Sequence, residues 1–399
     1  MVQVNLQARP RIQSLDILRG VVMIIMALDH VRDFFHAEAF LDSPTNLNTT
    51  SPLLFFTRWI THFCAPVFVF LAGTSGFLSG QRRTKKQLSI FLLTRGLWLV
   101  IAEMALVTLA LTFNPEYNAF FLQVIWAIGM SMIILGLLVW LPFSLILLYG
   151  IIVVFGHNLL DYPEDARNGQ VGALWNILHM SNFFVVPLSD ERALVFVYAF
   201  FPWSGVMALG YCFGKFFTRE FDPERRRRLL YRIGFGLIFL FIILRLLNSY
   251  GDPVPWSVQQ RGGVYTFLSF LNVYKYPPSL MYIAVTLGPA IIVLALLETV
   301  NVSRVSSFLR TFGRVPFFYY IIHFYLIHAL CVIAFYVSGN GNDQIVDPNT
   351  PFYFRPQVFG YNLWIVYGIW ALVILLLYPL CRWYERYKAS RSSWWLSYV

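Results

Sequence analysis

The chain has 399 residues, 58% of them hydrophobic and 13% charged, with a formal net charge of +10. Globular chains usually carry about 25% charged residues, so this composition excludes an ordinary soluble domain. Read in order, ten segments are long and apolar enough to span a bilayer as helices. They are 17–36, 56–80, 90–113, 119–140, 142–159, 193–217, 230–250, 278–298, 312–338 and 360–384, with only Leu141-Pro142 parting the fourth from the fifth. The expected fold is all-α: a polytopic membrane protein of about ten transmembrane helices, one domain over 1–399, in contact with membrane lipid.

The basic residues sort by side. With a cytoplasmic N-terminus, 22 of the 30 lysines and arginines fall on the inner side, including Arg9, Arg11, Arg19, Arg82, Arg83, Lys85, Lys86 and the run Arg225 to Arg228. The other 8 include Arg32, Arg58 and Lys275. That asymmetry predicts both termini inside. The net charge is then mostly a topology signal, and nucleic acid is excluded as a partner. The apolar run from Val21 to Leu28 leads straight into charges, so no cleavable leader is expected. The outer connections (37–55, 160–192, 251–277 and 339–359) are the long ones, and loops of that length are usually functional. The cysteines Cys64, Cys212, Cys331 and Cys381 have no metal-ligand spacing, so neither a metal nor a disulfide is expected.

The first segment carries the chemistry. Asp29, Asp33 and His36 share a helical face, with His30 and Arg32 beside it. A charge at the bilayer centre costs at least about 2.5–3.5 kcal/mol, so such a cluster calls for partners or a function. A carboxylate one turn from an imidazole fixes its tautomer, as a general base requires. On the second segment Arg58 and His62 lie four residues apart, which places His62 about as deep as His30. Its inner half, Gly73-Thr-Ser75-Gly76 onward, admits a closely packed helix or a slot for a slender ligand. The basic run that follows, with Arg19, would meet that ligand's phosphates. The ninth segment adds Tyr319, Tyr320, His323 and His328. Trp203 and Lys275 stand near the outer mouth, and Trp394-Trp395 beside Arg391 reads as an interfacial anchor.

Asp16-x-x-Arg19-Gly20, with His30 fourteen residues after the aspartate, resembles the first helix of the transmembrane acyltransferase superfamily, which includes bacterial polysaccharide O-acetylases. The longer string from Met26 to Phe35 resembles its heparan-α-glucosaminide N-acetyltransferase-like branch. So do Pro202-Trp203-x-Gly205, Lys275-Tyr-Pro277-Pro278-Ser279 and Gly313-Arg-Val-Pro316 leading to His323. The resemblance implies an enzyme of the bacterial cytoplasmic membrane that moves an acyl group, usually acetyl, from cytoplasmic acetyl-CoA to an amine or hydroxyl of a sugar on the outer side. His30 matches the histidine of the O-acetylase branch. The heparan-like branch uses a histidine further out, for which His36 is the nearest candidate.

The expected catalytic set is therefore His30, oriented by Asp29 or Asp33, with His36, His62 and His323. The expected donor-binding set is Arg19, Arg82, Arg83, Lys85, Lys86, Ser75 and Gly76. Acyl-CoA and a glycan acceptor are the partners, and a homodimer is an allowed assembly. The rival is a permease whose intramembrane His, Asp and Arg residues form a proton or substrate path. The missing internal repeat stands against it.

Overall fold

A computed structural model describes residues 12–180, 183–301, 303–391 and 393–398; Arg9 and Arg11 lie outside them. The chain is 69% helix and 4% strand. It runs through α1 (Gln13–Phe35), α2 (Pro52–Ile60), α3 (Cys64–Gly80), α4 (Lys85–Ala102), α5 (Thr108–Thr112), β1 (Ala119–Leu122), α6 (Val124–Leu138) and α7 (Phe143–Gly156). Next come α8 (Asp161–Asp165), α9 (Ala173–Trp175), β2 (Phe184–Pro187), β3 (Ala193–Phe196), α10 (Phe201–Phe213) and α11 (Pro223–Leu247). The last five helices are α12 (Gly263–Leu271), α13 (Leu280–Leu297), α14 (Arg304–Arg314), α15 (Pro316–Val337) and α16 (Leu363–Ser390).

Among the described residues, seven helical stretches are long and apolar enough to cross a membrane: Pro52–Gly80, Lys85–Thr112, Phe143–Asp165, α11, α13, α15 and α16. A helix also occupies each of the three remaining expected segments, but these fall short of that measure. The first, α1, carries Asp16, Arg19, Asp29, Arg32 and Asp33, while α6 has 15 residues and α10 has 13. The expected boundaries at 119 and 193 need correcting. Both segments open as strands, because Ala119–Leu122 pairs in parallel with Ala193–Phe196, and Phe184–Pro187 closes the sheet from the other side. Pro202 then starts α10, where a missing N–H costs nothing.

Local chemistry sets most helix ends. The Ser51 side chain accepts from Leu54 N–H ahead of Pro52. Thr84 and Gln87 form a capping box, and Asn362 caps α16. A 3-10 turn at Thr61–Phe63 parts α2 from α3 and sets the direction of His62. At Glu103–Val107 the helix widens to a π turn. The buried Glu103 carboxylate there accepts N–H groups from Gln123 (3.1 Å) and Trp126 (3.2 Å) at the start of α6.

Two close approaches fix the helices around α1. A Cβ on Gly20 would stand 1.9 Å from the Leu309 carbonyl oxygen, and one on Gly313 would stand 1.8 Å from that of Asp16. So α1 and α14 touch backbone to backbone. Gly73 and Gly210 do the same for α3 and α10, with hypothetical Cβ contacts of 2.1 Å in each direction. Without a hydrophobic drive inside lipid, such van der Waals contact is what holds helices together.

Candidate active site

The C-terminal half of α1 opens onto a cavity of about 710 Å³. Asp29, His30, Arg32 and Asp33 line it from α1, Arg58 from α2, His62 from the 3-10 turn after it, and Lys275 and Tyr276 from the loop before α13. The connections 39–45 and 351–352 contribute its rim. Four charges expected from the sequence neutralise one another here. Arg32 lies 3.0 Å from Asp29 and 2.7 Å from Asp33, and Arg58 binds the other oxygen of Asp29. Pairing is what makes ionised groups tolerable at this depth. Lys275 adds one more cation, stacked over the rings of Tyr198 (5.7 Å) and Tyr276 (5.0 Å). Its loop is held by Asp252, which accepts Tyr274 N–H (2.8 Å) and the Ser279 hydroxyl (2.7 Å). Burial raises the Asp252 carboxyl above its ordinary value, against the opposing pull of these bonds and of Arg245.

With both aspartates committed to arginines, His30 takes its orientation from elsewhere. Its Nδ1 lies 2.7 Å from His323 Nε2, and His323 Nδ1 lies 3.1 Å from the Tyr319 carbonyl oxygen. A carbonyl only accepts, so His323 carries its proton on Nδ1 and presents a bare Nε2. His30 then donates from Nδ1, which leaves its Nε2 lone pair free. The Phe324 ring stacks on His30 at 4.2 Å and steadies it. The expected Asp29 or Asp33 partner for His30 is thus replaced by His323. The physical reason is competition: the guanidinium groups of Arg32 and Arg58 reach the carboxylates first.

Other expected residues divide. His62 is 4% exposed and lines the cavity, with Nδ1 buried and unpartnered. His36 is packed at the end of α1, where its carbonyl accepts from Arg355 (2.7 Å), and it does not line the cavity. Trp203 is fully buried against Tyr198 and Tyr282. His328 is held between the carbonyls of Ala110 (3.1 Å) and Tyr353 (2.8 Å), a structural setting.

At the far end of α1, Arg19 binds Asp16 (3.0 Å), the Gly313 carbonyl (2.9 Å) and the Ser75 hydroxyl (3.3 Å). Ser75 is exposed. Gly73 is taken up by helix packing, whereas a Cβ on Gly76 would meet only side chains at 3.6 Å or more. Arg82, Lys85 and Lys86 are exposed, and Arg83 stacks over Phe91 at 4.4 Å. On α1 the cavity lining reaches inward to Met26, seven residues or about 10 Å from Arg19.

Sequence reasoning missed one group altogether. Asp161, Glu164 and His179 bring their ligand-type atoms within 4.8 Å of one another. The only sequence signal was the i, i+3 spacing of the two acids, since His179 follows across a loop.

The fold and cavity define an integral membrane protein with a histidine-bearing polar site. Residues 11–243 match the family described as heparan-alpha-glucosaminide N-acetyltransferase, catalytic, and the chain belongs to that family. This supports an acetyltransferase and does not favour the permease. No curated protein matches the chain.

Proposed function

We propose that the protein transfers an acetyl group from acetyl-CoA, bound at the cytoplasmic side, to an amine or hydroxyl of a sugar held in the outer cavity. The observation that carries this reading is the chain Tyr319 carbonyl, His323, His30, which ends in a bare nitrogen on a cavity wall. His30 Nε2 accepts the proton of the acceptor N–H or O–H while that atom attacks the thioester carbonyl. The new C–N or C–O bond forms, the C–S bond breaks, and the proton passes on to the CoA thiolate. A neutral base positioned in this way is worth about 10²–10⁴ in rate. His62, which lines the same cavity and has a buried, unpartnered Nδ1, is the group proposed to assist.

Arg19, Ser75 and the exposed Arg82, Arg83, Lys85 and Lys86 offer charge-assisted bonds to the donor's phosphates. The pantetheine arm would run along the seam between α1 and α3, past Gly76, to reach Met26 and the cavity floor. The ten-span topology with both termini inside, in a bacterial cytoplasmic membrane, belongs to the same proposal. It rests on the basic asymmetry, on the ten helical segments and on the cavity opening at the end opposite Arg19. The test is direct: purified protein is mixed with acetyl-CoA and an amino sugar, and free CoA thiol is followed. Acceptor-dependent thiol release supports the reading, and its absence across amino and hydroxyl sugars in a well-folded preparation overturns it.

A further inference from the structure

A second polar cluster lies outside the cavity. After α7, His157–Leu160 forms a 3-10 turn and α8 follows, placing Asp161 and Glu164 on one face. The π turn Asn176–Met180 lays His179 over them. His179 Nδ1 is 2.7 Å from Glu164 Oε1, and its other nitrogen, Nε2, is 3.2 Å from His157 Nδ1. Trp175 donates its indole N–H to the same Glu164 oxygen (2.6 Å), and Asn158 donates to Asp161 (2.8 Å). Glu164 is 7% exposed, His179 1% and His157 2%, while Asp161 stands at the open side. Among the described residues neither carboxylate has a lysine or arginine ion pair; the one partner of that kind is His179.

Two neighbouring carboxylates taken from water without a guanidinium or ammonium are costly, and a bound cation offsets that cost. The imidazoles give the second, independent pointer. A ligating histidine typically gives its other N–H to a fixed partner, and His179 Nε2 has one in His157. His157 is itself buried, so its ring is held by packing against His179. We infer that Asp161, Glu164 and His179 form a site for a first-row divalent metal ion, for which zinc is the natural probe. One nitrogen and two oxygens suit zinc, with water in the fourth place, whereas magnesium and calcium prefer all-oxygen shells. Zinc–ligand bonds of about 2.1 Å set ligand separations near 3.4 Å, so small side-chain rotations close the site.

The ion ties the 160–192 connection to the body of the protein. That connection carries Phe183, which lines the cavity and packs against Tyr276. Asn158 binds Leu280 N–H (2.8 Å) at the start of α13. The bound ion thus anchors one wall of the cavity without touching its chemistry.

The test uses full-length protein in detergent, stripped with a chelator and then titrated with zinc or magnesium. Bound metal is measured by elemental analysis and stability by thermal melting. The wild type is expected to hold one zinc per chain and to melt higher with zinc, and magnesium should leave the melt unchanged. His179→Ala and Glu164→Gln should lose zinc binding. His157→Ala should weaken it about 10–100-fold, as removal of a supporting partner does. Asp161→Asn, on the open side, guards against misfolding: it should elute and melt like the stripped wild type yet bind zinc at least about tenfold more weakly. Folded wild type that neither binds zinc nor melts higher at about 0.1 mM zinc overturns the inference, leaving a hydrogen-bonded His179–carboxylate cluster. Equal zinc binding by wild type and Asp161→Asn overturns it as well.

Discussion

At the scale of single residues, the site is a division of labour between ion pairs and imidazoles. Asp29 is shared between Arg32 and Arg58, and on the proposed reading it makes the cluster tolerable in a membrane rather than aiming His30. Asp29→Asn should therefore act on stability first. Removing one partner of a buried pair typically costs about 3–5 kcal/mol; lower melting temperature and poorer detergent extraction are the expected readouts. His323→Ala should behave differently: it empties a fully buried site and lowers the melt, but in the folded fraction turnover should also fall about 10²–10⁴-fold because His30 loses the partner that fixes its tautomer. A His323→Ala enzyme with normal turnover, measured as CoA release, would remove His323 from the chemistry.

At the scale of helices, the glycines separate packing from ligand binding. Gly20→Ala forces a methyl into the Leu309 carbonyl and should cost about 1–3 kcal/mol, read as a lower melting temperature. Gly76→Ala meets only side chains at ordinary distance, so its fold should hold while CoA affinity falls if the donor arm passes there. Calorimetry on the two variants distinguishes the cases. Much of this level was legible in the sequence. The starts were less legible: the segments expected from 56, 90 and 360 begin at Pro52, Lys85 and Leu363, where Ser51, Thr84 with Gln87, and Asn362 cap them. The short strands were not legible, because Ala119–Leu122 and Ala193–Phe196 are apolar runs whose pairing joins residues over seventy positions apart. The π turn at Glu103 was hidden too, since its cause is a carboxylate capping a different helix.

At the scale of the whole molecule, α1 links two chemically distinct ends. Arg19, Ser75 and the basic run occupy one, and the cavity with His30 occupies the other. The composition and the basic asymmetry made the membrane class plain. The individual site residues His30, His62 and His323 were visible as intramembrane histidines. Their association was not, because His30 and His323 are 293 residues apart and meet only once α15 packs on α1. The sidedness is testable: all four native cysteines are buried, so single engineered thiols label against a low background. Cysteines near Thr84 and Glu224 should resist impermeant reagents in intact cells, while ones near Asn168 and Asn342 should react. Outside labelling at Thr84 would reverse donor and acceptor sides.

The most direct test of the central claim compares wild type with His30→Ala for acetyl transfer from radiolabelled acetyl-CoA, alongside CoA binding by calorimetry. The account predicts that His30→Ala keeps its melting temperature and CoA affinity but loses transfer by about 10²–10⁴-fold. Near-normal transfer by a well-folded His30→Ala protein would contradict it.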